Sequence, residues 1–273
     1  MKVTSPRSRP AQTTLAVQGS TWLTPGLVRV SLGGPELSSF ADRPETDKYA
    51  KLFFPPAGST LTPPFDLAAL RETVPFDQLP TVRTYTIRRV DVEGGVMEID
   101  FVVHGDTGVA GPWAANAQPG DALTMSAPGG GFSPDLDADH IMLIGDESAI
   151  PAISAALETL PQNASVTVLL EARSPEHRAD LPASPATVTW IDEDHDAPGA
   201  RLVDAVASLE WPNGRVQVFA HGERGAMKAL RPLLIERGVD RSDLSLSAYW
   251  AAGRTEDAFQ AEKRLPVGQI FPA

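Results

Sequence analysis

The chain has 273 residues, 42% of them hydrophobic, and a formal net charge of −12 at neutral pH. A field of that sign repels nucleic acid and anionic membranes, so neither is expected as a main partner, and an anionic ligand needs a local cluster of cations. The absence of cysteine excludes disulfides, cysteine-ligated iron–sulfur clusters and thiol catalysis, so any electrons that move must pass through a bound organic cofactor.

Met1 to Pro10 are basic and contain Pro and Ser, with no apolar stretch behind them. They are expected to form a loose tail rather than a signal peptide or transmembrane helix, which points to a cytoplasmic protein. Short β-prone runs follow, at Leu27 to Leu32, Lys51 to Phe54, Val82 to Arg89 and Val96 to Val103, separated by Pro- and Gly-rich turns as in a small antiparallel barrel. The pattern changes near residue 135. Beyond it, strand-like runs at Ile141 to Ile144, Val166 to Leu170 and Val216 to Ala220 alternate with helical ones at Ala149 to Leu160, Leu202 to Leu209 and Arg224 to Glu236. That succession predicts a parallel sheet with crossover helices. The expected organisation is therefore two domains, an N-terminal antiparallel β-barrel over 1–135 and an α/β parallel-sheet domain over 136–273, hinged within Phe132 to Asp139.

The segment Arg83-Thr84-Tyr85-Thr86-Ile87-Arg88 carries the most chemistry. Alternation along a strand places Arg83, Tyr85 and Ile87 on one face and Thr86 and Arg88 on the other. Guanidinium forks for phosphate oxygens beside an aromatic for a flat ring suit a flavin; an exposed sheet face with ordinary charges is the plain alternative. Val103-His104-Gly105 ends a strand, and Gly108-Val109-Ala110-Gly111-Pro112-Trp113 leads into a helix. Main-chain N–H groups at such a turn suit a pyrophosphate, although most glycine turns exist to make the turn. Gly145-Asp146-Glu147-Ser148-Ala149 reads as strand, turn and helix, but it is not the Gly-x-Gly-x-x-Gly fingerprint. Its two carboxylates would repel a phosphate, and Ser148 reads as a helix N-cap. His221-Gly222-Glu223 ends a later strand, at the edge where open α/β sheets gather ligands. Five histidines without ligand spacing predict no metal site.

Taken in order, these motifs resemble the siderophore-interacting proteins, flavin-dependent ferric-siderophore reductases related to the ferredoxin-NADP reductase superfamily. The likeness runs over nearly the whole chain, adding Pro119-Gly120-Asp121, Tyr249-Trp250 and Gly253-Arg254. It implies an FAD-binding barrel in which Arg83, Tyr85, Thr86 and Arg88 hold the isoalloxazine and phosphates. His104, Gly105, Ala110, Gly111 and Trp113 would wrap the ring and pyrophosphate. It further implies a nicotinamide-binding-like domain whose Gly145, Asp146, Glu147, Ser148, Ala149, Gly222 and Glu223 face the reductant.

Electrons would pass from NADH or NADPH through FAD to a ferric siderophore, releasing Fe(II), with no side chain acting as a catalytic acid or base. Lys51, Arg254 and Lys263 are the expected substrate cations. The chain departs from the family at Gly130, Ala251 and Ala252, where basic residues are common, and at Gly111, where serine is common. A less basic pocket leaves room for a neutral or hydroxamate chelate. Two other readings stay open: the same fold reduced by a ferredoxin, and a non-catalytic iron-chelate-binding protein. Glu171 and Arg173 give opposite hints about NADH and NADPH. A monomer is the default.

Overall fold

The computed structural model describes residues 12–41 and 43–271; the N-terminal tail, Met1 to Pro10, lies outside them. Six strands, β1 (Gln12–Thr24), β2 (Leu27–Gly33), β3 (Tyr49–Phe54), β4 (Thr81–Asp91), β5 (Val96–Val102) and β6 (Ala122–Ser126), close an antiparallel barrel in the order β1-β2-β5-β4-β3-β6. Its interior is filled by the inward set of each strand, including Leu15, Val30, Leu52, Ile87, Ile99, Phe101 and Met125, all at most 1% exposed. A short α1 (Leu67–Thr73) lies in the β3–β4 connection, and α2 (Ala110–Asn116) packs on β2 and β5.

Five parallel strands follow: β7 (His140–Gly145), β8 (Val166–Ala172), β9 (Thr187–Asp192), β10 (Val216–Glu223) and β11 (Leu244–Trp250), ordered β11-β10-β7-β8-β9. Central strands β7, β8 and β10 are near-continuous apolar runs because helices cover both faces of the sheet. On one face α3 (Ile150–Thr159) packs with Leu143, Val168 and Phe219. On the other, α4 (Ala200–Ser208) and α5 (Arg224–Glu236) pack with Met142, Val218 and Leu246. A C-terminal α6 (Glu256–Glu262) returns toward the barrel. No helix among the described residues is long and apolar enough to cross a membrane. The expected barrel and parallel sheet are both present. The strands β1, β6, β9 and β11 are additions to those expected from sequence.

The α3 layer is sandwiched between the sheet and the barrel. Leu27 of β2 joins the α3 core cluster, and α3 packs against β4. The connection expected to act as a hinge makes contacts with the sheet domain. Phe132 is buried at 5.0 Å from the Phe219 ring, and Asp135 accepts a 2.6 Å hydrogen bond from Arg215 Nη2. Asp243 takes the rest of that guanidinium through Nε and Nη2.

Candidate functional site

Strand β4 delivers its side chains to the seam between barrel and sheet. Tyr85 and Ile87 turn toward the barrel core, with the Tyr85 ring 4.5 Å from that of Phe101. Burial, and secondarily Glu256, raise the Tyr85 phenol, so it stays protonated. The Arg83 side chain is only 15% exposed, and its Nη1 donates to its own strand at Val82 O and to Asp257 Oδ1 of α6 at 2.9 Å. Asp257 is 73% exposed. Such a pair contributes under about 1 kcal/mol, too little to withhold Arg83 from a phosphate.

Thr86 is buried and hydrogen-bonds with Tyr249 of β11 across the seam. The Tyr249 ring stands edge-on to His221 at 4.9 Å, and His221 stacks on Phe219 at 3.9 Å. Burial, then the Lys263 ammonium, push His221 down to about 3, so it is neutral, with Nε2 on Ser245 Oγ and Nδ1 without a partner.

Arg88 has a different task from the one expected. A bulge in the β4–β5 ladder falls between Ile87 and Arg89, and there the extra residue leaves the strand's alternation. Its Nη1 and Nη2 both donate to Glu158 of α3, at 2.9 and 2.6 Å, and its side chain is 7% exposed. The guanidinium clamps the two halves together rather than offering its fork to a phosphate.

Beyond the β5 strand end, Gly105 and Gly108 take φ of +59° and +83°, and a Cβ at either would meet open space. The following α2 has no side-chain cap and no acidic residue in its first turn. Gly111 sits where a Cβ would come within 3.2 Å of the Val102 carbonyl oxygen. Ala110 is buried, and Trp113 packs edge-on to Phe54 at 5.5 Å and near Phe101 at 5.7 Å. An open glycine turn with uncapped N–H groups, on the same barrel as Arg83 and Tyr85, is a donor set that fits the phosphates and ring of FAD. His104 faces the other half of the molecule, its Nδ1 at 2.6 Å from Arg173 Nη2. Burial and Arg173 hold it below the ordinary histidine value, so it accepts as a neutral ring.

The carboxylates at the far edge of the seam are turned inward. Asp146, 6% exposed, accepts from Ser148 N, Ser148 Oγ, Glu223 N and Trp250 Nε1. It therefore caps the short turn entering α3, and Ser148 is a donor to the cap rather than the cap itself. Glu147 accepts from Arg173 N. Glu223 caps α5 at Ala226 N and also holds Ala252 N. Glu171, pushed up to about 7 by burial, holds Gly199 N at the start of α4, which withdraws its hint about an adenosine ribose. Ala149 is buried in the α3 core. Gly145 is required by close packing, since a Cβ there would lie 2.8 Å from the His221 carbonyl oxygen. Gly145→Ala is expected to force β7 from β10 and cost about 2 kcal/mol, lowering Tm by about 5 °C in a thermal melt.

Of the expected substrate cations, Lys51 is exposed on β3. Lys263 stands over the Phe259 ring at 4.6 Å and is held below the usual lysine value by burial and by repulsion from Lys51, against the opposing pull of Glu256. The two ammoniums thus share one neighbourhood. Arg254 is set apart, with Nε on Glu262 Oε1 at 2.8 Å, a carboxylate it shares with Arg224. At Gly130 a Cβ would meet Glu45 Cβ at 2.8 Å, so the loop is closed around the glycine. Sequence reasoning missed the carboxylates of α6, Glu256 and Asp257, and every contact that crosses the seam.

A closed antiparallel barrel with an FAD-compatible face, joined to a parallel sheet whose C-terminal edge meets that face, defines a flavoprotein of the ferredoxin-reductase-like architecture. A family model described as "Siderophore-interacting FAD-binding domain" matches residues 16–132, and one described as "Siderophore-interacting protein" matches 138–253. The chain belongs to the siderophore-interacting protein family. It is 42% identical to an uncharacterized protein of Mycobacterium tuberculosis over 89% of this chain and 91% of the relative. It is 30% identical to the ferric vibriobactin reductase ViuB of Vibrio cholerae, over 92% and 93%. Identity with the NADPH-dependent ferric-chelate reductase of Escherichia coli is 31%, over 84% and 89%. Among solved structures, a siderophore utilization protein from T. fusca matches with a TM-score of 0.76 and 35% identity, covering 90% of this chain and 94% of that one.

Proposed function

We propose that this chain is an FAD-dependent ferric-siderophore reductase of the cytoplasm, with 1–135 as the flavin-binding unit and 136–273 as the donor-facing unit. The observation that carries this reading is the position of β4: Thr86 meets Tyr249 of the sheet edge, while Arg83 reaches Asp257 of α6 and Tyr85 packs on Phe101 of the barrel. Bound FAD would take two electrons from NADH or NADPH and give them up singly, as two Fe(III) ions require.

The chain's own residues bind and position. Arg83 meets phosphate charge, and the Gly105 to Gly111 turn offers main-chain N–H groups. Tyr85 and Tyr249 remain protonated because burial raises both phenols. Lys51 and Lys263 attract an anionic ferric chelate to the seam. No protonic step is assigned to a side chain, because electron transfer needs none.

Lys51→Ala with Lys263→Ala is expected to raise KM for an anionic ferric chelate about tenfold, or ~1.4 kcal/mol, and to leave FAD occupancy unchanged. Arg254→Ala, whose guanidinium already serves Glu262, is expected to change KM about twofold or less. Steady-state Fe(II) formation, trapped by a colorimetric chelator with NADH or NADPH as donor, tests both. Unchanged chelate kinetics in the double variant would remove the two lysines from the substrate site. Reduction by a ferredoxin is the second reading, favoured by the inward-turned Asp146 at the turn where a dinucleotide would otherwise rest.

A further inference from the structure

We infer that Asp146 is an internal substitute for the pyrophosphate of a nicotinamide donor, and that it is the residue that keeps donor affinity low. This rests on the reading that NADH or NADPH reduces the bound FAD. In open α/β sheets a dinucleotide lies outside the carboxyl ends of the strands where strand order reverses, with its pyrophosphate on the N–H groups of the first strand–helix turn. Here that place is the notch between β7 and β10.

The notch is already filled by an anion of the chain. Four donors converge on the Asp146 carboxylate: Ser148 N at 2.9 Å and Ser148 Oγ on Oδ1, Glu223 N at 2.8 Å and Trp250 Nε1 at 2.7 Å on Oδ2. They come from the turn itself, from β10 and from β11, so the seat is assembled from three elements. The same carboxylate presses on Gly222, where a Cβ would fall 2.5 Å from Oδ2. Burial raises the Asp146 carboxyl while the four donors pull it back.

The rest of the edge follows suit. The N-terminus of α5 is held by Glu223, at 2.9 Å from Ala226 N, and that of α4 by Glu171, at 2.8 Å from Gly199 N. Nearby cations are engaged too: Arg173 with His104, and Arg178 with Asp192 at 2.6 Å. A donor phosphate brought to the turn finds its N–H groups taken and a like charge in place. Binding then falls to contacts elsewhere along the nucleotide, with weak saturation.

The test uses the full-length, FAD-loaded protein with Asp146→Ser, which empties the seat and leaves a small acceptor, and Asp146→Asn, which keeps the size and removes the charge. Asp146→Ser is expected to lower KM for both NADH and NADPH about tenfold, and Asp146→Asn to lower it about threefold. Independently of turnover, 10 mM inorganic pyrophosphate should raise the melting temperature of Asp146→Ser and not of the wild type. Folded variants with unchanged KM, or a wild type stabilised by pyrophosphate as much as the variant, would overturn the inference. Should neither nucleotide reduce the flavin in any form of the protein, the donor reading fails, and the pyrophosphate melts still decide what Asp146 does.

Discussion

Arg83→Ala is expected to weaken FAD binding by roughly 100-fold or more while leaving both halves of the molecule folded. The estimate follows from the loss of a bidentate, charge-assisted contact to phosphate, about 3–4 kcal/mol. The fold survives because the partner of Arg83 in the protein is Asp257 on the exposed side of α6, and pairs of that kind stabilise by under about 1 kcal/mol. Adding Tyr85→Ala should abolish retention of the cofactor. It also removes a ring packed on Phe101, at about 3 kcal/mol of barrel stability. Fluorescence titration of apoprotein with FAD, beside urea unfolding of each variant, separates the two effects. Wild-type affinity in Arg83→Ala would show that β4 does not hold the cofactor.

The second large effect is expected at the clamp between barrel and sheet. Glu158→Ala leaves the buried guanidinium of Arg88, 7% exposed, without its bidentate partner. Breaking a fully buried pair costs roughly 3–5 kcal/mol; because the Glu158 side chain is 42% exposed, about 2–3 kcal/mol is expected here. The hydrogen bonds from Arg88 hold the Glu158 carboxyl below its ordinary value. Its contribution is therefore present above the unfolded carboxyl value near 4.5 and is lost as pH falls through the lower folded value. Urea midpoints measured from pH 7 downward should converge for wild type and Glu158→Ala as Glu158 becomes protonated. A constant gap down to pH 3 would mean that the loss is one of packing and not of charge.

Much of this architecture is legible in the chain. Alternation identified β4 and put Arg83, Tyr85 and Ile87 on one face, and apolar runs marked β7, β8 and β10, because strands buried on both faces carry no polar interruption. The weaker strands escaped for physical reasons. The strand β1 is rich in Thr, Gln and Ser and extends into an exposed hairpin. The strand β6 has only five residues, and β9 is an edge strand with mostly exposed side chains. Arg88 illustrates a deeper limit. The bulge that redirects it depends on the register of β5, which no local pattern encodes. Asp146 and Glu147 were readable as an acidic turn, but Asp146 and Glu223 were not readable as caps. Trp250, the donor that helps turn Asp146 inward, lies 104 positions away along the chain.

We propose that this chain passes electrons from its flavin to a ferric chelate. The direct measurement is anaerobic stopped-flow of the FAD-loaded protein, reduced chemically with no donor present and then mixed with a ferric hydroxamate. The visible flavin band and trapped Fe(II) are followed together. Recovery of the oxidised band with about two Fe(II) formed per FAD is expected, since each Fe(III) takes one electron of the pair. A band that stays bleached with the chelate in excess, or a folded protein that retains no FAD, would contradict it.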